Sequence, residues 1–108
     1  MDTVTSNDSL KQQNRRFANT GGISQRNRGQ GFLPAFRDEQ SGAVYLSRTR
    51  DGNVAPVHMI EGLPDHLVMS RDRCGRAIRL VASVIAGFVR GDRFYTRQEA
   101  ADAVSQAA

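Results

Sequence analysis

The composition of this chain breaks at Gly31, and that break limits its possible folds more than any motif does. Residues 1–30 hold six apolar side chains (Met1, Val4, Leu10, Phe17, Ala18 and Ile23), scattered among Ser, Thr, Asn, Gln and Gly at no helical or strand period. Such a segment has too little apolar surface to offset the entropy lost on ordering, so residues 1–30 are expected to be a disordered, mobile tail. Residues 31–108 carry short apolar runs divided by turn signals, and are expected to form one small domain with a thin core. Cys74 is the only cysteine, so no internal disulfide can reinforce that core. A lone thiol also agrees with a reducing compartment. Residues 1–5 lack a basic stretch followed by an apolar one, and no apolar run approaches the roughly 20 residues of a membrane span. A cytoplasmic protein without a membrane partner is therefore expected.

Three turn signals organise residues 31–108. Asp51-Gly52 lies between Val44–Arg48 and Val54–Ile60, a strong hairpin signal. Asp72-Arg73-Cys74-Gly75 places Asp first and Gly fourth, as a type I turn prefers. Gly91-Asp92 joins Gly87–Arg90 to Arg93–Tyr95, with glycine where a II′ turn needs positive φ. Together these predict an antiparallel β-meander, with Pro56 at an edge or bulge because it offers no N–H to a ladder. Thr96-Arg97-Gln98-Glu99 reads as a capping box opening an Ala-rich helix from Arg97 to about Val104. Residues 76–89 fit either a helical stripe or strands. Their β-branched residues favour a strand over 76–82, with a loop or single helical turn near 83–86. The expected fold class is α+β: a small antiparallel meander, with the C-terminal helix packed on one face, behind a disordered basic tail. The expected core is Leu33, Phe36, Val44, Leu46, Val57, Met59, Leu67, Met69, Ile78, Leu80, Phe88, Phe94, Ala100, Ala101 and Val104.

Candidates for chemistry are few. His58, His66 and Cys74 are evenly spaced but lack the close ligand pair that zinc sites use. His58 alternates with Val57 and Met59, which predicts an outward-facing side chain. Arg73 and Arg76 flank Cys74 and favour its thiolate, yet no nucleophile motif surrounds it. No glycine cluster follows a strand and opens a helix as a phosphate cradle would. The chain is thus expected to be no enzyme and to use no cofactor or metal.

Binding is the remaining class. Of 15 basic residues 14 are arginine, and residues 1–30 hold five bases against two acids, three of the four net positive charges. Lys11, Arg15, Arg16, Arg26 and Arg28 are candidates to neutralise nucleic-acid phosphates, and Phe17 to stack on a base. The alternative is a protein partner contacting the sheet face that bears Tyr45, His58 and Ile60. Self-association as a homodimer would cover the meander's edge strands.

Gly42–Arg48, Gly62-Leu63-Pro64-Asp65 and Gly87–Ala101 resemble segments of small hypothetical proteins carried on proteobacterial plasmids and integrative elements. The resemblance spans residues 31–105 and leaves out the first 30. Its motifs are turns, core and a helix cap. It implies a bacterial cytoplasmic accessory protein of a mobile element and carries no active site.

Overall fold

The computed structural model describes residues 5–18, 20–23 and 28–107, with Arg28 and Ala107 described by backbone alone. The elements are α1 (Asn7–Arg16), β1 (Leu33–Asp38), β2 (Val44–Leu46), β3 (Val68–Arg71), β4 (Ala77–Leu80), β5 (Val84–Arg90), β6 (Arg93–Thr96) and α2 (Arg97–Ala107). A four-stranded antiparallel sheet has the order β2-β1-β5-β6, and β3 and β4 form a separate hairpin. The α+β class and the C-terminal helix against the strands match expectation. The meander is interrupted: β1 pairs directly with β5, from Leu33 opposite Val89 to Asp38 opposite Val84. The β3–β4 hairpin is therefore an excursion between the two halves of the sheet.

The local signals form as read. The Gly75 N–H donates to the Asp72 carbonyl at 3.0 Å, and the Asp72 carboxylate accepts the Cys74 and Arg76 N–H groups, each at 2.9 Å. Gly91 sits at φ +66°, so Arg90 and Arg93 face each other across a two-residue turn. At α2, Thr96 Oγ1 accepts the Glu99 N–H at 3.1 Å while Glu99 Oε1 accepts the Thr96 N–H at 2.9 Å. Within residues 76–89 the chain makes strand, turn and strand, but β5 already begins at Val84, so the expected loop over 83–86 shrinks to its first residue.

The Asp51-Gly52 turn also closes, with Thr49 N–H donating to the Asn53 carbonyl at 2.8 Å, yet pairing stops at one bridge, Arg48 with Val54. Residues 54–60 are not a strand. Pro56 has no N–H to give, and the buried Ser47 hydroxyl takes over the neighbouring backbone groups. It donates to the Val57 carbonyl at 2.8 Å and accepts the Met59 N–H at 2.7 Å.

The expected tail is corrected where it is described. The Thr5 carbonyl accepts the Leu80 N–H, and Thr5 Oγ1 donates to the Val84 carbonyl, both at 2.8 Å. Ser6 and Ser9 then form a reciprocal cap for α1. Leu10 and Phe17, seven residues apart, fall on one helical face and are buried at 5% and 8% exposure. Two well-spaced apolar anchors suffice because the rest of the chain supplies the surface they cover. Residues 1–4, 19 and 24–27 of the expected tail lie outside the described residues.

Two clusters form the core. The larger joins Leu10, Phe36, Ile60, Leu63, Leu67, Ala77, Leu80, Val84 and Ala86. The smaller joins Phe32, Phe88 and Ala100, with Tyr95 and Val104 against it. Phe36, Leu67, Leu80, Phe88 and Ala100 were expected there. Leu33, Val44, Val57, Met69 and Ile78 were too, yet they are 38–48% exposed. Register shifts between β3 and β4 break the alternation, so Ala77 and Leu80 point inward while Met69 and Ile78 point out. Val57 lies in the segment that fails to become a strand. Leu33 and Val44 belong to the other face of the large sheet.

Candidate functional site

That other face is the first candidate. Side chains alternate across a strand, and the pairings place Phe36, Val84, Ala86, Phe88 and Tyr95 on one face of the sheet. Leu33, Arg37, Val44, Leu46, Ile85, Val89 and Phe94 share the opposite face. Every strand residue of the first set packs in or against a core cluster, and none of the second set does. The sheet thus carries apolar side chains on both faces: the core clusters cover the first, while on the second Ala35 is buried, Leu46, Ile85, Val89 and Phe94 are half-buried, and Leu33 and Val44 are exposed.

Gly87 shapes the open face. A Cβ there would run into the Phe94 ring and the Tyr95 carbonyl oxygen, so only glycine lets Phe94 lie across β5. The Arg37 guanidinium stacks 4.7 Å from the centre of that ring and pairs with Glu39 at 3.0 Å. An open groove of about 820 Å³ runs here, lined by Val44, Phe94 and Thr96 with Arg37, Arg93, Asp92 and Glu99 at its polar margin. Arg93 approaches Glu99 at 3.7 Å, so the groove carries both signs of charge around an apolar floor. Glu99 is held below the usual carboxylate range, chiefly by the Thr96 backbone N–H. The face proposed from sequence to meet a protein partner, bearing Tyr45, His58 and Ile60, is the covered one. Ile60 is 1% exposed and Tyr45 packs against the larger cluster.

His58 corrects its own expectation. Its ring sits edge-on between Phe36 and Phe88, with centroids 5.3 and 5.1 Å away. Arg97 Nη2 lies 3.1 Å from His58 Nδ1, and His58 Nε2 lies 2.6 Å from the Gly87 carbonyl oxygen. A guanidinium can only donate, so Nδ1 is the acceptor and the ring proton sits on Nε2, donated to Gly87. Burial, reinforced by the Arg97 charge, lowers the His58 pKa to about 3. Arg97, 4% exposed, also donates through Nη1 to Asn14 Oδ1 at 2.9 Å and to the Gly22 carbonyl at 3.1 Å. Burial pulls its pKa down to about 10, which leaves it charged at neutral pH. Both His58 nitrogens are engaged, so this pair fastens α1, residues 20–23 and the sheet to the start of α2.

The remaining sequence candidates are dispersed. Cys74 is exposed in the β3–β4 turn, whereas the His58 ring is enclosed between Phe36 and Phe88. Among the described residues no group of three or more His, Cys, Asp or Glu is placed to hold a metal ion. No described helix is long and apolar enough to cross a membrane. Lys11, Arg15 and Arg16 are exposed on α1. Phe17 is buried beneath the Arg16 guanidinium, 5.3 Å from its ring centre, and cannot stack on a base. Arg26 lies outside the described residues, and the Arg28 backbone opens a single turn over Arg28–Gln30.

A second basic site was not foreseen. Arg90 and Arg93 are directly opposed at the β5–β6 turn. Their guanidinium carbons lie 5.1 and 4.6 Å from the centre of the Tyr95 ring, and Arg90 lies 4.4 Å from that of Phe32. The signal was present in Arg90-Gly91-Asp92-Arg93, since a two-residue turn pairs its flanking residues. No family model, characterised protein or solved structure matches the chain.

Proposed function

We propose that this chain is a non-catalytic protein-interaction module that docks an extended segment of a partner protein on the open face of its large sheet. The single observation that carries this reading is the groove across Phe94. Its floor, Val44 and a Phe94 ring partly overlaid by the Arg37 guanidinium, joins neither core cluster, whereas Phe36, Val84, Ala86, Phe88 and Tyr95 on the opposite face all do. A groove of that size takes a few side chains of an extended segment, and its balanced margin suits a partner carrying both charges. The same balance disfavours a polyanion on this face. Absence of catalysis is supported by the engagement of both His58 ring nitrogens in hydrogen bonds, which leaves that imidazole no free site for acid–base work.

Selection of binders from a displayed random-peptide library tests the proposal. Selected peptides should perturb the amide resonances of Arg37, Val44, Phe94 and Thr96. Val44→Asp should weaken them at least tenfold without changing the melting temperature, because Val44 is 44% exposed. Binders that map to the α1 surface, or that tolerate Val44→Asp, would overturn it.

A further inference from the structure

We propose that the β5–β6 tip is a phosphate-binding clamp, with Arg90 and Arg93 as its two donors and the phosphodiester backbone of nucleic acid as its ligand. Like charges directly opposed on an antiparallel ladder repel, so this pair costs stability unless something offsets it. The offset observed is aromatic. Both guanidiniums lie against Tyr95, and Arg90 is further fixed by Phe32 and by a 3.3 Å hydrogen bond from Nη2 to Tyr95 Oη. These contacts order two long side chains without neutralising them. Among the described residues Arg90 makes no ion pair, and Arg93 has only the 3.7 Å approach of Glu99.

Two ordered, under-neutralised guanidiniums on one edge of a tight turn match what a phosphate oxyanion needs. Each offers a planar fork, and the entropy of fixing it is already spent in the free protein. Glu99 stays beside Arg93 with its Oε1 held by the Thr96 N–H, so Arg90, which makes no ion pair among the described residues, is the less neutralised of the two donors. Gly31 lies beside the Arg90 stem, where an added Cβ would sit 3.9 Å from Arg90 Cγ.

The test is a titration of the full chain with a duplex oligonucleotide of about 20 base pairs, at several salt concentrations, with inorganic phosphate as a parallel probe. Duplex binding should weaken with salt, and Arg90→Gln and Arg93→Gln should each weaken it several-fold and reduce the log–log slope by about 0.9. Arg50→Gln, in the exposed Asp51-Gly52 turn, should change neither by as much. Arg90 does not line the groove, so Arg90→Gln should leave peptide docking intact, which separates failure of the clamp from failure of the groove. Thermal melting confirms that each variant is folded. An unchanged slope in a folded Arg90→Gln protein overturns the clamp. Resonance shifts at Arg90 with inorganic phosphate, but no duplex binding, overturn nucleic acid as its ligand.

Discussion

At the scale of single residues, the His58–Arg97 pair sets how stability responds to pH. The His58 pKa falls from 6.5 to about 3 on folding, so the unfolded chain binds the extra proton between those values. Stability from this residue is complete above pH 6.5 and is lost as pH falls toward 3. Asp38, Asp72 and Glu99 are also held below their ordinary values, by hydrogen bonds led respectively by Ser83, the Arg76 N–H and the Thr96 N–H. Those carboxylates act in the same direction, but at lower pH. Between pH 7 and 5 the loss of stability belongs chiefly to His58 and should total at most about 2 kcal/mol in urea unfolding. His58→Gln keeps a donor and an acceptor but cannot titrate, and should flatten that interval. Arg97→Lys should not substitute for Arg97. Arg97 reaches Asn14 and Gly22 through Nη1 and His58 through Nη2, a span that three donors on a single nitrogen do not match, and leaving a buried acceptor unmatched costs about 1–3 kcal/mol. Neither role was legible in the sequence. The alternation of His58 with Val57 and Met59 pointed outward, and only Pro56 and the Ser47 hydroxyl, acting across the fold, undo that alternation.

At the scale of elements, local chemistry was readable and facing was not. The Asp72–Gly75 turn, the Gly91-Asp92 turn and the Thr96/Glu99 cap each depend on residues within four positions of one another, and each formed. Thr96→Ala should cost about 1 kcal/mol, because it removes one half of the cap of α2. The inward set on β4 was misread because a bulge between β3 and β4 shifts parity, which residue order alone does not reveal. Leu33 and Val44 were misread for a different reason. Alternation shows which residues share a face, but where both faces are apolar it does not show which is covered. The Phe94 groove is therefore a property of the assembled sheet. Helix α1 was missed because Leu10 and Phe17 are its only large apolar anchors in a polar segment. Leu10→Ala should cost about 2–4 kcal/mol by chemical denaturation if α1 is docked, and almost nothing if it is a free tail.

At the scale of the whole molecule, residues 5–18 act as a wedge that completes the larger cluster, although composition places them outside the domain. Leu10 fills a site bounded by residues of the β3–β4 excursion and the main sheet, and Phe17 lies near Gly22 against the start of α2. Thr5 links β4 to β5 through its carbonyl and hydroxyl. A chain starting at Gly31 would lose all of these together. The two apolar anchors alone account for several kcal/mol, comparable with the roughly 5–15 kcal/mol that holds an ordinary small domain folded. The truncated chain should therefore unfold at much lower denaturant concentration than the full chain. Hydrogen exchange supplies the local readout. The Leu80 N–H, whose acceptor is the Thr5 carbonyl, should lose most of its protection even where the truncated chain remains folded. The Phe36 and Phe88 amides, in central β1 and β5, should keep theirs until the domain unfolds as a unit. A truncated chain with unchanged midpoint and a protected Leu80 amide would return residues 5–18 to the role of a tail, and Lys11, Arg15 and Arg16 would then be free to follow a ligand independently of the fold.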